Sequence, residues 1–232
     1  MKKNSPGLRR WQDYVESILI AVLLALVVRT FVVSGYRVPT STMAPVLKPG
    51  DFIFSYKLPY GLKIPLTQIK VGIEAPRRGQ VVVFTFPDQP RVNYVKRVIG
   101  LPGDLVQIKA GRLEVNGVQM KYEPGDASLI RDLPGFDGLD VYREMATEGA
   151  REVLLKRNAV RQDFGPILVP QGQVFLLGDN RDSSDDSRYW GSVPLERIEG
   201  RVFLIWLSLD WAGSKAKWPP SVPTDRLWMR VD

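Results

Sequence analysis

Val38-Pro39-Thr40-Ser41-Thr42-Met43-Ala44-Pro45-Val46-Leu47 packs hydroxyl side chains between two prolines, just beyond the chain's one long apolar run. That run covers 18–28, is followed by Arg29-Thr30, and resumes at Phe31-Val32-Val33. Lys2, Lys3, Arg9 and Arg10 precede it, with Trp11 and Tyr14 at its near end, where aromatic rings suit a membrane interface. A bilayer span takes roughly 17 to 25 residues, a length reached when Arg29 is allowed to snorkel toward the headgroups. Three readings are open: an anchor, a cleavable signal peptide and a buried core helix. Arg29 and the lack of a clean small-x-small site weigh against the signal peptide. As an anchor, the run divides the chain into a basic cytoplasmic start at 1–14, a span at 15–35 and an extracytoplasmic body at 36–232.

The body is rich in turn formers. The 232 residues include 20 Gly and 18 Pro, with 44% hydrophobic and 25% charged, enough for one good core and a strand-rich domain. Short apolar or β-branched runs stand at 52–54, 80–86, 93–99, 104–109, 113–115, 118–120, 173–177 and 201–207, and Asn116-Gly117 is a strong hairpin signal. Segments 57–78 and 123–162 show no clean period. The first is read as loop, the second as an inserted subdomain or a long loop. Trp211, Trp218 and Trp228 are read as packed against the sheet, with a membrane-interface position as the alternative. The expected fold is mainly β, an antiparallel sheet domain behind one N-terminal transmembrane helix.

Composition removes several chemistries. There are no cysteines and no histidines. Disulfides, thiolate nucleophiles, Ser-His-Asp triads and His-based zinc sites are therefore impossible, and no metal or other cofactor is expected. The net charge of +7 suits an anionic membrane surface or nucleic acid, but no basic block with interleaved aromatics follows, so nucleic acid is set aside as a partner. A hydroxyl nucleophile needs a base, and without histidine the plausible one is a neutral lysine whose pKa burial has lowered. Lys96 sits in a strand between Val95 and Val98. By spacing alone it would be a solvated edge residue.

Three blocks resemble the type I signal peptidases, membrane enzymes that remove signal peptides from exported proteins. The opening stretch is similar to that family's first motif, Pro-Ser-x-Ser-Met-x-Pro-Thr-Leu. Asn93-Tyr94-Val95-Lys96-Arg97-Val98-Ile99-Gly100-Leu101-Pro102-Gly103-Asp104 resembles its lysine motif. Gly178-Asp179-Asn180-Arg181-Asp182-Ser183-Ser184-Asp185-Asp186-Ser187-Arg188-Tyr189-Trp190-Gly191 resembles its late Gly-Asp-Asn block. The resemblance implies an antiparallel β peptidase domain in the bacterial cytoplasmic membrane, single-pass, with its N-terminus cytoplasmic.

It also implies roles. Lys96 becomes general base and then general acid, Ser184 orients it, and Asp186 with Arg188 forms a supporting ion pair. The backbone N–H of Thr42 and the hydroxyl of Thr40 become the oxyanion donors. Val38, Pro39, Met43, Leu47, Ile53, Tyr94 and Val95 become the lining of shallow pockets for small residues. The substrate, a signal peptide cut after an Ala-x-Ala site, would add as a strand near Val38 and Tyr94. The lipid bilayer and the export machinery are the other implied partners.

The departure is at the nucleophile. The family places serine directly before the methionine, and this chain has Thr42. Three outcomes stay open: a slow threonine nucleophile, Ser41 acting in a shifted register, or an inactive protein. A non-catalytic paralogue that binds signal peptides is the alternative of another class, and Ser34-Gly35, where relatives often carry an acidic residue and proline, points the same way. A peptidase for pilin or conjugation proteins and a self-cleaving Ser-Lys repressor are further alternatives, the last leaving the anchor unexplained.

Overall fold

The structure, a computed structural model, describes residues 6–63, 70–87, 89–131, 135–209 and 221–231. The apolar run forms α1 (Pro6–Val27), prolonged by a π-helical turn, Val28–Val32, that carries Arg29. The segment 13–32 is long and apolar enough to cross a membrane, and none of it is buried against the rest of the protein. The buried-core reading therefore fails. The helix ends at Val32, and 33–35 lie in the first strand, β1 (Val33–Arg37). No linker separates the two. Lys57 stitches the junction, its backbone N–H donating to the Val32 carbonyl at 2.9 Å and its ammonium to the Thr30 carbonyl at 3.1 Å.

The chain then runs through β2 (Asp51–Tyr56), β3 (Tyr60–Lys63), β4 (Lys70–Ile73), β5 (Val81–Thr85) and β6 (Asn93–Gly100). Next come β7 (Leu105–Lys109), β8 (Arg112–Val115), β9 (Val118–Gln119), β10 (Lys121–Pro124), β11 (Leu139–Ala146), β12 (Gly149–Lys156) and β13 (Phe164–Leu168). The last elements are β14 (Gln173–Leu177), the short helix α2 (Ser187–Trp190), β15 (Val193–Pro194), β16 (Ile198–Ser208) and β17 (Met229–Arg230). The architecture is mainly β and antiparallel, as the composition implies.

Among the described residues the strands form four sheets. The main one has the order β1-β2-β16-β5-β6-β14-β15, with β17 beside β16. Its central strands are the near-continuous apolar runs of the sequence, and both faces explain why: Val81 and Val83 pack into a cluster with Ile53, Val202 and Ile205, while Val82 and Phe84 pack with Val98, Val174 and Leu176. A third cluster joins Ile99 and Phe175 to Val106, Leu113 and Val115 of the β13-β7-β8-β9 sheet. Asn116 and Gly117, both at positive φ (52° and 79°), make the tight turn there.

Two segments differ from the sequence reading. Within 57–78, β3 and β4 pair as a hairpin, and the Lys70 ammonium ties it to β16 through the Ile198 carbonyl and Glu199. Segment 123–162 is no long loop. β10, β11 and β12 form their own antiparallel sheet. Its polar look has a physical cause, since β11 buries Glu144 fully and pairs it with arginines. Trp228 is mostly exposed at 67%, so it is not packed against the sheet. Trp211 and Trp218 lie outside the described residues.

The segment bearing the hydroxyl stretch is locked to the chain's far end. Asp51, fully buried, receives the Arg226 guanidinium on both carboxylate oxygens, and Arg226 also donates to the Val46 carbonyl at 3.0 Å. Removing one partner of such a pair strands a buried charge. Arg226→Ala is expected to lower stability by about 3–5 kcal/mol, read by denaturant unfolding in detergent micelles.

Candidate active site

The site is assembled from three pieces of chain: the turn 39–47 between β1 and β2, the first half of β6, and the turn that leaves β14. Proline at both ends and local hydrogen bonds shape the first turn, where Ala44 N–H donates to the Ser41 carbonyl at 3.0 Å and Leu47 N–H to the Met43 carbonyl at 2.9 Å. Met43, Ala44 and Leu47 point inward and are buried, whereas Ser41 and Thr42 stay half-buried and Thr40 exposed. Thr40 Oγ1 and Thr42 Oγ1 face each other at 3.3 Å.

Lys96 is carried by β6 opposite Val82, in the same register that sets Tyr94 opposite Phe84. It is 3% exposed, and its ammonium donates to Ser184 Oγ at 2.8 Å. Burial lowers its pKa from 10.5 to about 8, against the pull of the Asp186 and Asp185 carboxylates. No hydrogen bond joins it to Thr42 among the described residues.

The third piece binds the other two together. Asn180 N–H donates to the Thr42 carbonyl at 3.1 Å, and the Asn180 side-chain amide donates to the Ser41 carbonyl at 3.2 Å. Gly178 sits where a Cβ would lie 2.6 Å from the Thr42 carbonyl and 2.1 Å from Ser184 Oγ, so only glycine lets these groups close up. Asp186 accepts from Gly178 N–H at 3.0 Å and from the Arg188 guanidinium at 2.7 and 2.9 Å, and Arg188 reaches on to the Arg181 and Ser184 carbonyls. The structure thus brings Thr40, Thr42, Lys96, Ser184, Asp186 and Arg188 into one neighbourhood.

The apolar residues divide. Val38, Met43, Leu47 and Ile53 are buried together in one cluster, with Val95 half-buried against it. Tyr94 stands in another, its ring centroid 4.8 Å from that of Phe86. Pro39 is exposed. Backbone groups also differ in availability. Val38 has its N–H on the Asp51 carbonyl and its carbonyl on Gly50 N–H, at 2.8 and 2.9 Å. By contrast, β14 covers β6 only at 97–100, leaving 93–96 of that edge without a strand partner among the described residues.

Residues that the sequence reading passed over complete the arrangement. Asn180 and Gly178 hold the pieces together, and Arg97 forms a buried double hydrogen bond to Asp179 at 2.8 and 2.7 Å. All lie inside the quoted blocks, but their use of backbone carbonyls carries no sequence signal.

A hydroxyl-rich turn and a dry amine, tied to one shared turn, stand on a β body behind an apolar helix. Comparison with known proteins is specific. A family model described as signal peptidase, peptidase S26, matches residues 11–207. Signal peptidase I of Pseudomonas aeruginosa is 38% identical over 212 residues, covering 84% of this chain and 72% of that protein. Signal peptidase I of Aquifex aeolicus is 32% identical over 229 residues, covering 85% and 84%. A crystal structure of a signal peptidase I from Enterococcus faecalis aligns at 32% identity over 56% of this chain and 97% of that one, with a TM-score of 0.35. The chain belongs to the signal peptidase family, peptidases that process signal peptides.

The depressed Lys96 pKa has a consequence for stability. Between about 8 and 10.5 the folded state holds fewer protons than the unfolded one, so stability rises with pH through that window. Below it the cost of the buried charge is fully present. Lys96→Met is expected to be more stable than the parent near neutrality, by roughly 3 kcal/mol. The difference should close as unfolding is measured toward pH 10.

Proposed function

We propose that the chain is a membrane-anchored endopeptidase that removes signal peptides after small-x-small sites with the Thr42 hydroxyl and the Lys96 amine. The observation that carries this reading is the Lys96 amine, buried yet hydrogen-bonded to Ser184 and lowered toward working pH. In its neutral form Lys96 takes the Thr42 proton as Oγ1 attacks the scissile carbonyl, then delivers it to the leaving amine. A water activated by the same lysine clears the acyl-enzyme. The Thr42 N–H and Thr40 hydroxyl hold the oxyanion, and the 3.3 Å approach of the two hydroxyls supports a shared orientation. Ser184 orients Lys96, and Asp186 with Arg188 fixes the Ser184 turn.

The substrate adds as a strand along 93–96 of β6, the edge that β14 leaves open, beside Lys96. On the other side Val38 is already paired, so Pro39 supplies the surface there. Pro39, Tyr94 and Val95 meet the small side chains. Val38, Met43, Leu47 and Ile53 form the floor beneath them. The segment 15–35 is the anchor, 1–14 is cytoplasmic and the domain lies outside, from the basic start. Export machinery is the natural source of substrate.

A second reading, a binding paralogue without turnover, draws on the Thr42 hydroxyl, which pairs with Thr40 and not with Lys96. The β-methyl restricts χ1, and a misplacement of about 1 Å can cost on the order of a hundredfold in rate. Both readings meet one assay, cleavage of a preprotein with an Ala-x-Ala site by the chain in micelles, beside Thr42→Ser and Lys96→Ala. The parent is expected to cut slowly, Thr42→Ser on the order of a hundredfold faster, and Lys96→Ala not at all. The rate should rise with pH to a plateau above about 8, as Lys96 loses its proton. Peptide binding by all three with cleavage by none would establish the binding paralogue.

A further inference from the structure

The β10-β11-β12 sheet touches both halves of the site, and its contacts converge on Glu144. This carboxylate is fully buried and accepts four hydrogen bonds, from Arg151 Nε at 2.6 Å, Arg181 Nη2 at 2.9 Å, Arg181 Nη1 at 2.5 Å and the Tyr122 hydroxyl, with Arg151 Nη2 also 2.6 Å from it as an ion pair. Arg181 follows Asn180, which holds the Ser41 and Thr42 carbonyls, and its own carbonyl accepts from Arg188. The same sheet reaches this turn twice more. Leu154 N–H donates to the Asp179 carbonyl at 2.8 Å, and Lys156 N–H to Asp182 Oδ2 at 2.7 Å. On its other side the sheet receives Ala44, two residues after Thr42, which is buried among Ile130, Phe136, Val141 and Leu154.

We infer that this sheet is a clamp on the active site and that Glu144 is a positioning residue for the reaction, acting through Arg181 on the turn that holds Thr42 and Ser184. Glu144 is the carboxylate that pairs two buried guanidiniums, Arg151 and Arg181 at 9% and 5% exposed, and removing one partner of a buried pair is strongly destabilising. With the clamp intact, the 178–184 turn keeps water from Lys96 and keeps the Thr42 carbonyl seated. The inference deepens the peptidase reading of the same site, but its test needs no turnover.

The test compares full-length chain with Glu144→Gln and the milder Tyr122→Phe, in micelles. Amide hydrogen exchange is followed peptide by peptide, and the pH midpoint of Lys96 acylation is read by mass spectrometry. In Glu144→Gln, exchange in 40–47 and 178–187 is expected to accelerate about tenfold, with Val81–Thr85 unchanged. The Lys96 midpoint should rise by about one pH unit from about 8 as water reaches it. The charges facing Lys96 are Asp186, Asp185, Arg188 and Asp179. Mere loss of the Glu144 charge would move the midpoint the other way, so the direction separates positioning from electrostatics. Tyr122→Phe should show the same pattern two- to threefold, and decides the matter if Glu144→Gln fails to fold. Acceleration confined to the three strands, or spread through Val81–Thr85, or a Lys96 midpoint that stays or falls, would overturn the clamp. Failure of the cleavage assay would leave these readouts intact.

Discussion

A primary amine must be kept dry in the middle of a β-sheet domain, and most of the arrangement answers to that demand. Solvated lysine is a poor base near neutrality, and only loss of water or a nearby cation brings its pKa down. Lys96 is held at 3% exposure by neighbours on every side. β5 lies against it through Val82, while the turn after β14 closes over its end with Ser184. That turn can approach so closely because residue 178 has no Cβ. Asp186 pulls in the opposite direction, favouring the ammonium. Arg188 reduces that pull by pairing with the same carboxylate, at 2.7 Å. The balance leaves Lys96 between a charged structural lysine and a free base, the state that the proposed reaction uses for proton transfer.

What the sequence made legible follows from how each strand is buried. β5 and β14 sit in the middle of the main sheet with apolar clusters on both faces, so they read as unbroken runs. The Asn116-Gly117 turn was legible because its left-handed backbone needs those residue types. β3 and β4 were not legible, since the hairpin is pinned by Lys70 to a strand more than a hundred residues later, and no local pattern records that. β11 hid for a related reason. Its buried positions include Val141 and Glu144, which break the two-residue alternation. The site was legible only as motifs: Lys96 is an inward-facing lysine that spacing could not tell from an exposed one. Asn180 acts through two backbone carbonyls, and nothing in a sequence announces a carbonyl.

The helix and the domain are joined with no slack. Five residues of β1 separate the last turn of the apolar helix from Val38, and β1 is paired along its length with β2. Lys57 holds the junction from the side through two carbonyls of the helix end. With a strand rise of about 3.3 Å per residue, the hydroxyl turn stands a short, fixed distance beyond the helix. Under the proposed anchoring, a peptide bond cut near the membrane surface is met at a set height, and a paired strand keeps that height better than a flexible linker would.

The same network bears on which hydroxyl faces the substrate. Moving Ser41 into the position of Thr42 means sliding the turn by one residue, which re-aims every side chain that the turn carries. It would also break the Asn180 N–H bond to the Thr42 carbonyl, the Asn180 amide bond to the Ser41 carbonyl, and the Ala44 N–H bond to that same Ser41 carbonyl. Each is worth about 1 kcal/mol, and more where a buried partner is left unsatisfied. Met43 and Leu47 would have to leave a core in which they are 1% and 0% exposed. These costs far exceed any gain from exchanging a threonine hydroxyl for a serine hydroxyl, so the register stays, and in the proposed reaction the attacking hydroxyl is that of Thr42. What the threonine changes is a methyl group at Cβ. In the proposed reaction that methyl sets the cost, because χ1 of Thr42 has to carry Oγ1 from Thr40 toward Lys96 past the turn that Asn180 holds.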